Sequence, residues 1–257
     1  MLEQILESKS LEIKNLRLDR KRQIRCPKSR ENEKTSFIQA LKSSPARKVI
    51  AEYKPGSPSL GQINSTMAPE NMASVFQTGQ AAAISVLTDS LYFYSSLDHL
   101  DAFSKTDLPI MRKDFIIDKL QIDQTAETQA SALLLIARLF DKAPDHLPEL
   151  VSYSLGLGLE PVVEIFDFKD LQLARRTKAR CLLVNNRDLK SLAVDLNVSQ
   201  KLIAYKRPEE IWICASGLSS PREVQDMHEI GYNACLIGTS IMKSQDPLET
   251  LKSFVSG

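Results

Sequence analysis

Eight short apolar runs recur along the chain with helix-patterned segments between them. They are KVIAEYK (48–54), AAISVLTD (82–89), LPIMRKDF (108–115), SALLLIA (131–137), EPVVEIF (160–166), CLLVNN (181–186), IWICASG (211–217) and ACLIG (234–238). Most lie ~20 to 30 residues apart, the spacing a strand–helix unit needs. The runs are nearly continuous in Val, Ile and Leu, so both faces of each strand must be covered, as in a parallel sheet flanked by helices. The intervening segments carry helix punctuation. APENMASVFQTGQ has Pro69 in its opening turn and Gly79 near its end; SSPREVQDMHEIGY has a serine cap, then Pro221, then Gly231 as a stop. Eight such units predict a (β/α)8 barrel. A doubly wound open sheet is the alternative, and no Gly-rich dinucleotide turn follows the first strand to favour it.

The length of 257 residues suits one barrel domain over 1–257. Its first 46 residues belong to no strand–helix unit and are expected to form a helical N-terminal extension. LEQILESKSLEIKNLRL repeats apolar residues at three- and four-residue steps, and SFIQALKSS reads as a second, shorter helix. Between them, DRKRQIRCPKSRENEK mixes bases with acids and reads as a solvated connection rather than a nucleic-acid arm.

A formal net charge of +1 supplies no global field for nucleic acid or an anionic membrane. No apolar run approaches the ~20 residues of a membrane span, and the charged N-terminus lacks the apolar core of an export signal. A cytoplasmic protein is expected, monomeric or weakly dimeric. Cys26, Cys181, Cys214 and Cys235 form no CxxC pair and read as reduced thiols, the last three inside apolar runs. His99, His146 and His228 are scattered and read as surface residues, so neither metal nor cofactor is expected.

Alternate residues of a strand face opposite sides. Glu52 and Lys54 therefore share a face, and the same alternation pairs Met111 with Lys113, Val162 with Glu164 and Leu183 with Asn185. One charged residue at a strand end marks only where the strand meets water. Here five polar residues on four runs stand at the same end, and in a barrel those ends surround a single mouth, where barrel enzymes keep their chemistry. Two lysines and two glutamates gathered there offset one another's desolvation and shift one another's pKa, which acid–base catalysis requires.

The seventh and eighth runs end in ASGLSSPRE and LIGTSIM, placing Ser216 and Gly217, then Gly238, Thr239 and Ser240, before helical segments. Either glycine alone is explained by an ordinary turn. As a pair in the loops after strands seven and eight, they favour a phosphate site. Ser57, in PGSPS, adds a hydroxyl from the first loop.

In family order and over nearly the whole chain, VIAEYKPGSPSLG, AAAISVLTDSLYF, PIMRKDFIIDKLQI, LGLEPVVEI, VNNRDLKSLAVDL, SGLSSPREV and CLIGTSIM resemble indole-3-glycerol-phosphate synthase. The combination of RKDFIID with NNRDL is specific. The resemblance implies ring closure, decarboxylation and dehydration of 1-(2-carboxyphenylamino)-1-deoxyribulose 5-phosphate, without metal or organic cofactor. Carried over by position, Lys113 is implied as the acid that protonates the carbonyl, and Glu164 as the base of the later dehydration. Lys54 is implied to hold the substrate carboxylate and to donate a proton in the second step. Glu52 would set the lysines' charge state and share the base role, and Asn185 would orient polar groups. Ser57, Gly217, Gly238 and Thr239 would hold the phosphate, with Ser216 among the substrate-binding residues; Phe115 and Leu135 would line the anthranilate pocket; Arg187 would brace the mouth. Two alternatives stay open: another sugar-phosphate barrel isomerase, and a barrel that binds such a ligand without turning it over.

Three places depart from the family pattern. Ala215 stands where a glutamate is usual, Pro55 where a basic residue is common, and Tyr94–Ser95 where a glycine pair is common, the last implying a stiffer second loop. With one acid fewer, the pKa values of the lysines are expected to fall. The expected outcome is that Ala215→Glu keeps or raises turnover in a product-fluorescence assay. A large loss would mean that the site is built around alanine.

Overall fold

The computed structural model describes residues 2–22, 35–42, 47–63 and 67–256. All eight apolar runs are strands: β1 (Val49–Tyr53), β2 (Ala83–Leu87), β3 (Ile110–Lys113), β4 (Ala132–Ile136), β5 (Glu160–Ile165), β6 (Cys181–Asn185), β7 (Ile211–Ala215) and β8 (Ala234–Ile237). Neighbours pair in parallel, and β1 pairs with both β2 and β8, so the sheet closes into a barrel and the open-sheet alternative falls. Ile50, Met111, Leu134, Val162, Leu183 and Ile213 pack in the barrel interior. Their neighbours Ala51, Leu133, Leu135, Val163 and Trp212 pack outward beneath the helices. Burial on both faces is why the runs are continuously apolar.

Local chemistry sets the helix ends. In Pro221–Glu229, the Ser220 hydroxyl accepts from the Glu223 amide while the Glu223 carboxylate accepts from the Ser220 amide. This reciprocal cap satisfies two amides that the first turn leaves free. Gly231, at φ 116, then takes the chain out of the helix in a conformation glycine adopts without a Cβ clash.

The two N-terminal helices seal opposite ends of the barrel. α2 (Phe37–Lys42) inserts Phe37 and Leu41 into the interior cluster, with Leu41 beside Ile211 at the start of β7. α1 (Leu2–Arg22) buries Ile5, Lys9 and Ile13 at four-residue steps. Ile5 reaches the interior cluster from the mouth. The charged connection is shorter than expected, because residues 19–22 continue α1. Residues 23–34, with Cys26, lie outside the described residues. Cys181, Cys214 and Cys235 are buried free thiols.

The histidines are half-buried, not on the surface. His99 meets the Tyr53 ring edge-on at 5.4 Å, His146 meets Phe140 at 5.6 Å, and His228 Nδ1 lies 3.0 Å from the Tyr232 carbonyl. An imidazole has an apolar body as well as a polar tip, so sequence polarity around it is a weak guide to its burial. Among the described residues, no helix is long and apolar enough to cross a membrane.

Glu160 opens β5 at the end of the barrel away from the mouth. Burial pushes its carboxyl up to about 7 against the opposing pull of Arg180 and Lys42. The folded state thus favours the protonated acid, and that contribution to stability is lost as pH rises through about 7. Glu160→Gln, neutral throughout, is expected to gain on the order of 2 kcal/mol over the parent between pH 5 and pH 8. Thermal or urea unfolding at the two pH values measures the gain, and a pH-independent difference would contradict it.

Candidate active site

The carboxyl ends of the strands open on a cavity of about 300 Å³. At its base lies Glu52, carried inward from β1 and only 3 % exposed. Lys54 Nζ is 3.4 Å from Glu52 Oε1, and Lys113 Nζ, from the end of β3, is 3.5 Å from Oε2. The Ser85 hydroxyl of β2 donates to the same Oε2 at 3.4 Å. One carboxylate thus bridges two ammonium groups. It has room because residue 238 is glycine, where a Cβ would sit 2.6 Å from Glu52 Oε1.

Glu164 enters from β5. Asn185 Nδ2, from the neighbouring β6, donates to Glu164 Oε1 at 3.0 Å, and Asn185 Oδ1 accepts from the Arg187 amide at 3.0 Å. The Arg187 guanidinium donates to the Leu192 carbonyl at 2.9 Å, tying down the loop that follows β6. Behind these strands, Arg138 gathers Asp167, Asp170 and Asp188 at 3.2, 3.0 and 3.3 Å and lies 4.6 Å over the Phe166 ring.

Burial and neighbouring charge divide the titrating groups. Burial works against the charged form of Glu52, but Lys113 and Lys54 outweigh it and hold the carboxyl below its ordinary value. Burial also dominates at Lys54 and, with Lys113 and Arg187 nearby, leaves its pKa lowered despite Glu52. At Lys113 the same burial is overcome by Glu52 and Glu164, and its pKa is raised. Glu164 is raised, chiefly by burial, against the pull of Lys113 and the Asn185 hydrogen bond. The expectation that both lysines fall is therefore corrected. Lys54 falls, but Lys113 faces two carboxylates and does not need a third to remain charged.

On the opposite rim, Ser216 and Gly217 take consecutive positive φ values of 68 and 86 after β7. A Cβ at Gly217 would meet Val194 Cγ1 at 2.7 Å. Gly217 lines the cavity and carries no side chain, so a ligand can approach its backbone closely. The Ser240 hydroxyl donates to the Leu218 carbonyl at 3.1 Å and joins this loop to the one after β8. The second loop is braced as well. Tyr94 has φ 56, Ser95 Oγ donates to the Leu87 carbonyl, and the bare Gly56 leaves room for the Tyr94 ring.

Glu52, Lys54, Ser57, Lys113, Phe115, Glu164, Asn185, Arg187, Ser216, Gly217, Gly238 and Thr239 all line this cavity. Leu135 does not: it packs outward beneath the helices, and its neighbours Leu134 and Ile136 line the cavity instead. The run SALLLIA has no polar residue to reveal which alternate positions face inward. Sequence reasoning also missed Leu2 and Ile5 of α1, Phe93, Asp89 and Asp114. The aspartates fall within two residues of the ends of β2 and β3, and that position was the available clue. Ala215 faces the cavity in register with Asn185 and Leu236. Among the described residues, no cluster of three or more His, Cys, Asp or Glu side chains is placed to hold a metal ion.

Residues 2–254 match the family model described as indole-3-glycerol phosphate synthase. The chain belongs to the indole-3-glycerol phosphate synthase family. It is 35 % identical over 254 residues to the indole-3-glycerol phosphate synthase of Exiguobacterium sibiricum, covering 98 % of this chain and 96 % of the relative. The enzyme of that name from Lactococcus lactis subsp. lactis is 36 % identical over 253 residues, covering 98 % and 93 %. Among solved structures, N-acetylmannosamine-6-phosphate 2-epimerase from Clostridium perfringens superposes with a TM-score of 0.61 at 15 % identity, covering 82 % of this chain and 93 % of that one. At that identity the likeness shows the barrel fold alone.

The opposed shifts are open to direct measurement. Carbon-detected NMR titration is expected to place the Glu164 carboxyl above 4.5, the Lys54 amine below 10.5 and the Lys113 amine above it. Two lysines titrating together near their ordinary value would contradict the geometry.

Proposed function

We propose that the chain converts 1-(2-carboxyphenylamino)-1-deoxyribulose 5-phosphate to indole-3-glycerol phosphate, releasing carbon dioxide and water, as a carboxy-lyase of tryptophan biosynthesis. The observation that carries this reading is a lysine and a glutamate that line one cavity and act on each other's charge. Lys113 is kept protonated between Glu52 and Glu164, and Glu164 is kept easy to protonate by burial.

The substrate phosphate sits on the rim formed by Ser57, Ser216, Gly217, Gly238 and Thr239, where amides and hydroxyls offset its charge. The aromatic ring lies against Phe115, Leu134 and Ile136, with Leu2 and Ile5 of α1 closing the mouth over it. Lys54 holds the ring carboxylate. The ring carbon bearing that carboxylate attacks the ribulose carbonyl. The new carbon–carbon bond forms as Lys113 gives its proton to the carbonyl oxygen. The bond to the carboxylate then breaks, carbon dioxide leaves, and its electron pair restores the aromatic ring. In the second step the hydroxyl leaves as water with a proton from Lys54, while Glu164, oriented by Asn185, takes the proton released from the intermediate. Glu52 keeps both lysines in the right charge state, and Arg187 braces the loop that carries Asn185. A barrel that merely bound the ligand would need no such acid–base pair beneath the phosphate rim.

Lys113→Met and Glu164→Gln are each expected to lower kcat by about 10²- to 10⁴-fold with the fold intact, read by fluorescence of the indole product. Because Glu164 acts as a base and its pKa is raised, activity falls on acidification at a pH above its ordinary 4.5. Robust product from Lys113→Met would defeat the assignment of the acid.

A further inference from the structure

α1 presents a lysine where its apolar stripe calls for a hydrophobe. Ile5 and Ile13 are 1 % and 6 % exposed, and Lys9 between them is 2 % exposed. Its ammonium reaches Glu12 at 2.9 Å, Asp89 at 3.0 Å and Asp114 at 2.9 Å. Glu12 belongs to the same helix. Asp89 and Asp114 follow β2 and β3, line the substrate cavity and are themselves almost wholly buried.

The two aspartates are not equally provided for. Asp114 is over-determined. Its Oδ2 accepts from Arg112 Nη2 at 2.8 Å and from the Thr88 hydroxyl at 2.6 Å, and its Oδ1 accepts from the Phe115 amide at 2.8 Å. Among the described residues, Asp89 Oδ1 accepts only the Tyr92 amide, at 2.7 Å. Among the described residues, Lys9 is the one cation within 4.0 Å of Asp89.

We propose that Lys9 is a positioning residue for substrate binding, the countercharge by which the N-terminal helix neutralises Asp89 so that the mouth admits a substrate bearing a carboxylate and a phosphate. The proposal rests on the functional reading above. Without Lys9, a buried carboxylate is left uncompensated in the wall of a cavity that must take up an anion. By Coulomb's law, one unlike-to-like change of unit charge acting over roughly 10 Å at an effective dielectric of about 20 weakens anion binding on the order of tenfold. The helix thus does more than cover the ring with Leu2 and Ile5: it completes the electrostatics of a barrel whose own strands leave Asp89 unpaired.

The test uses the full chain and a non-cyclising analogue of the substrate, its ketone reduced to an alcohol, with Kd from calorimetry and KM from turnover. Lys9→Met, which keeps length and loses charge, is expected to raise Kd and KM on the order of tenfold per folded molecule. Adding Asp89→Asn, which keeps the acceptor for the Tyr92 amide, is expected to restore most of that affinity. Ile13→Ala, which trims an apolar contact of α1 but leaves Lys9 and its carboxylate partners in place, is expected to raise Kd by less than Lys9→Met does. Three results overturn the proposal: an unchanged Kd in Lys9→Met, no recovery in the double variant, or an equal loss in Ile13→Ala. If Lys9→Met alone does not fold, Asp89→Asn alone decides, since it removes one negative charge from the mouth and must tighten analogue binding; equal or weaker binding overturns the proposal. A parent protein that binds the analogue without turning over the substrate would defeat the functional reading instead, with the Lys9 effect still legible in Kd.

Discussion

Everything at the mouth of this barrel follows from the cost of taking charge out of water. Glu52 is buried at the base of the cavity, and a lone carboxylate there would be protonated instead of charged. Lys54 and Lys113 keep it ionised, and it keeps them close. The bridge ties the end of β1 to the end of β3 and sets two lysines at different points of titration within one cavity. Glu164 completes the set from β5, positioned by Asn185 from β6. Strands far apart in the chain thereby share a single electrostatic problem and a single solution to it.

The same logic extends outward in a second ring of ion clusters. Arg112 and Lys9 secure the acids that follow β2 and β3, and Arg138 secures those around β5 and β6. Exposed pairs of this kind contribute little, whereas buried ones are strongly destabilising when one partner is removed. Their place in the fold shows their use. Each cluster sits in the loops directly behind a proposed reacting residue, where a shift of about 1 Å is costly to catalysis. The glycines at 217 and 238 do the complementary work of leaving space, one for the Val194 side chain and one for Glu52 itself.

Much of this was legible in the residues. Continuous Val/Ile/Leu runs at strand–helix spacing could be buried on both faces only in a parallel sheet, and eight of them closed into a barrel. Strand alternation then put Glu52, Lys54, Lys113, Glu164 and Asn185 on inward faces, because polar residues at the ends of apolar strands announce their own parity. Leu135 shows the limit. In a run of three leucines no side chain marks the inward face, and the choice came out one residue away.

What the sequence determined by itself was therefore the barrel, its strands and the polar identities at its mouth, since these depend on periodicity and chemistry along the chain. Only the tertiary structure decided the charge states and the role of the N-terminal helix. Whether a lysine's pKa rises or falls depends on how many carboxylates face it across strands, and so Lys113 rises where Lys54 falls. That Lys9 meets Asp89 and Asp114 depends on how a helix packs over loops many residues downstream, a contact through space that local sequence pattern does not encode.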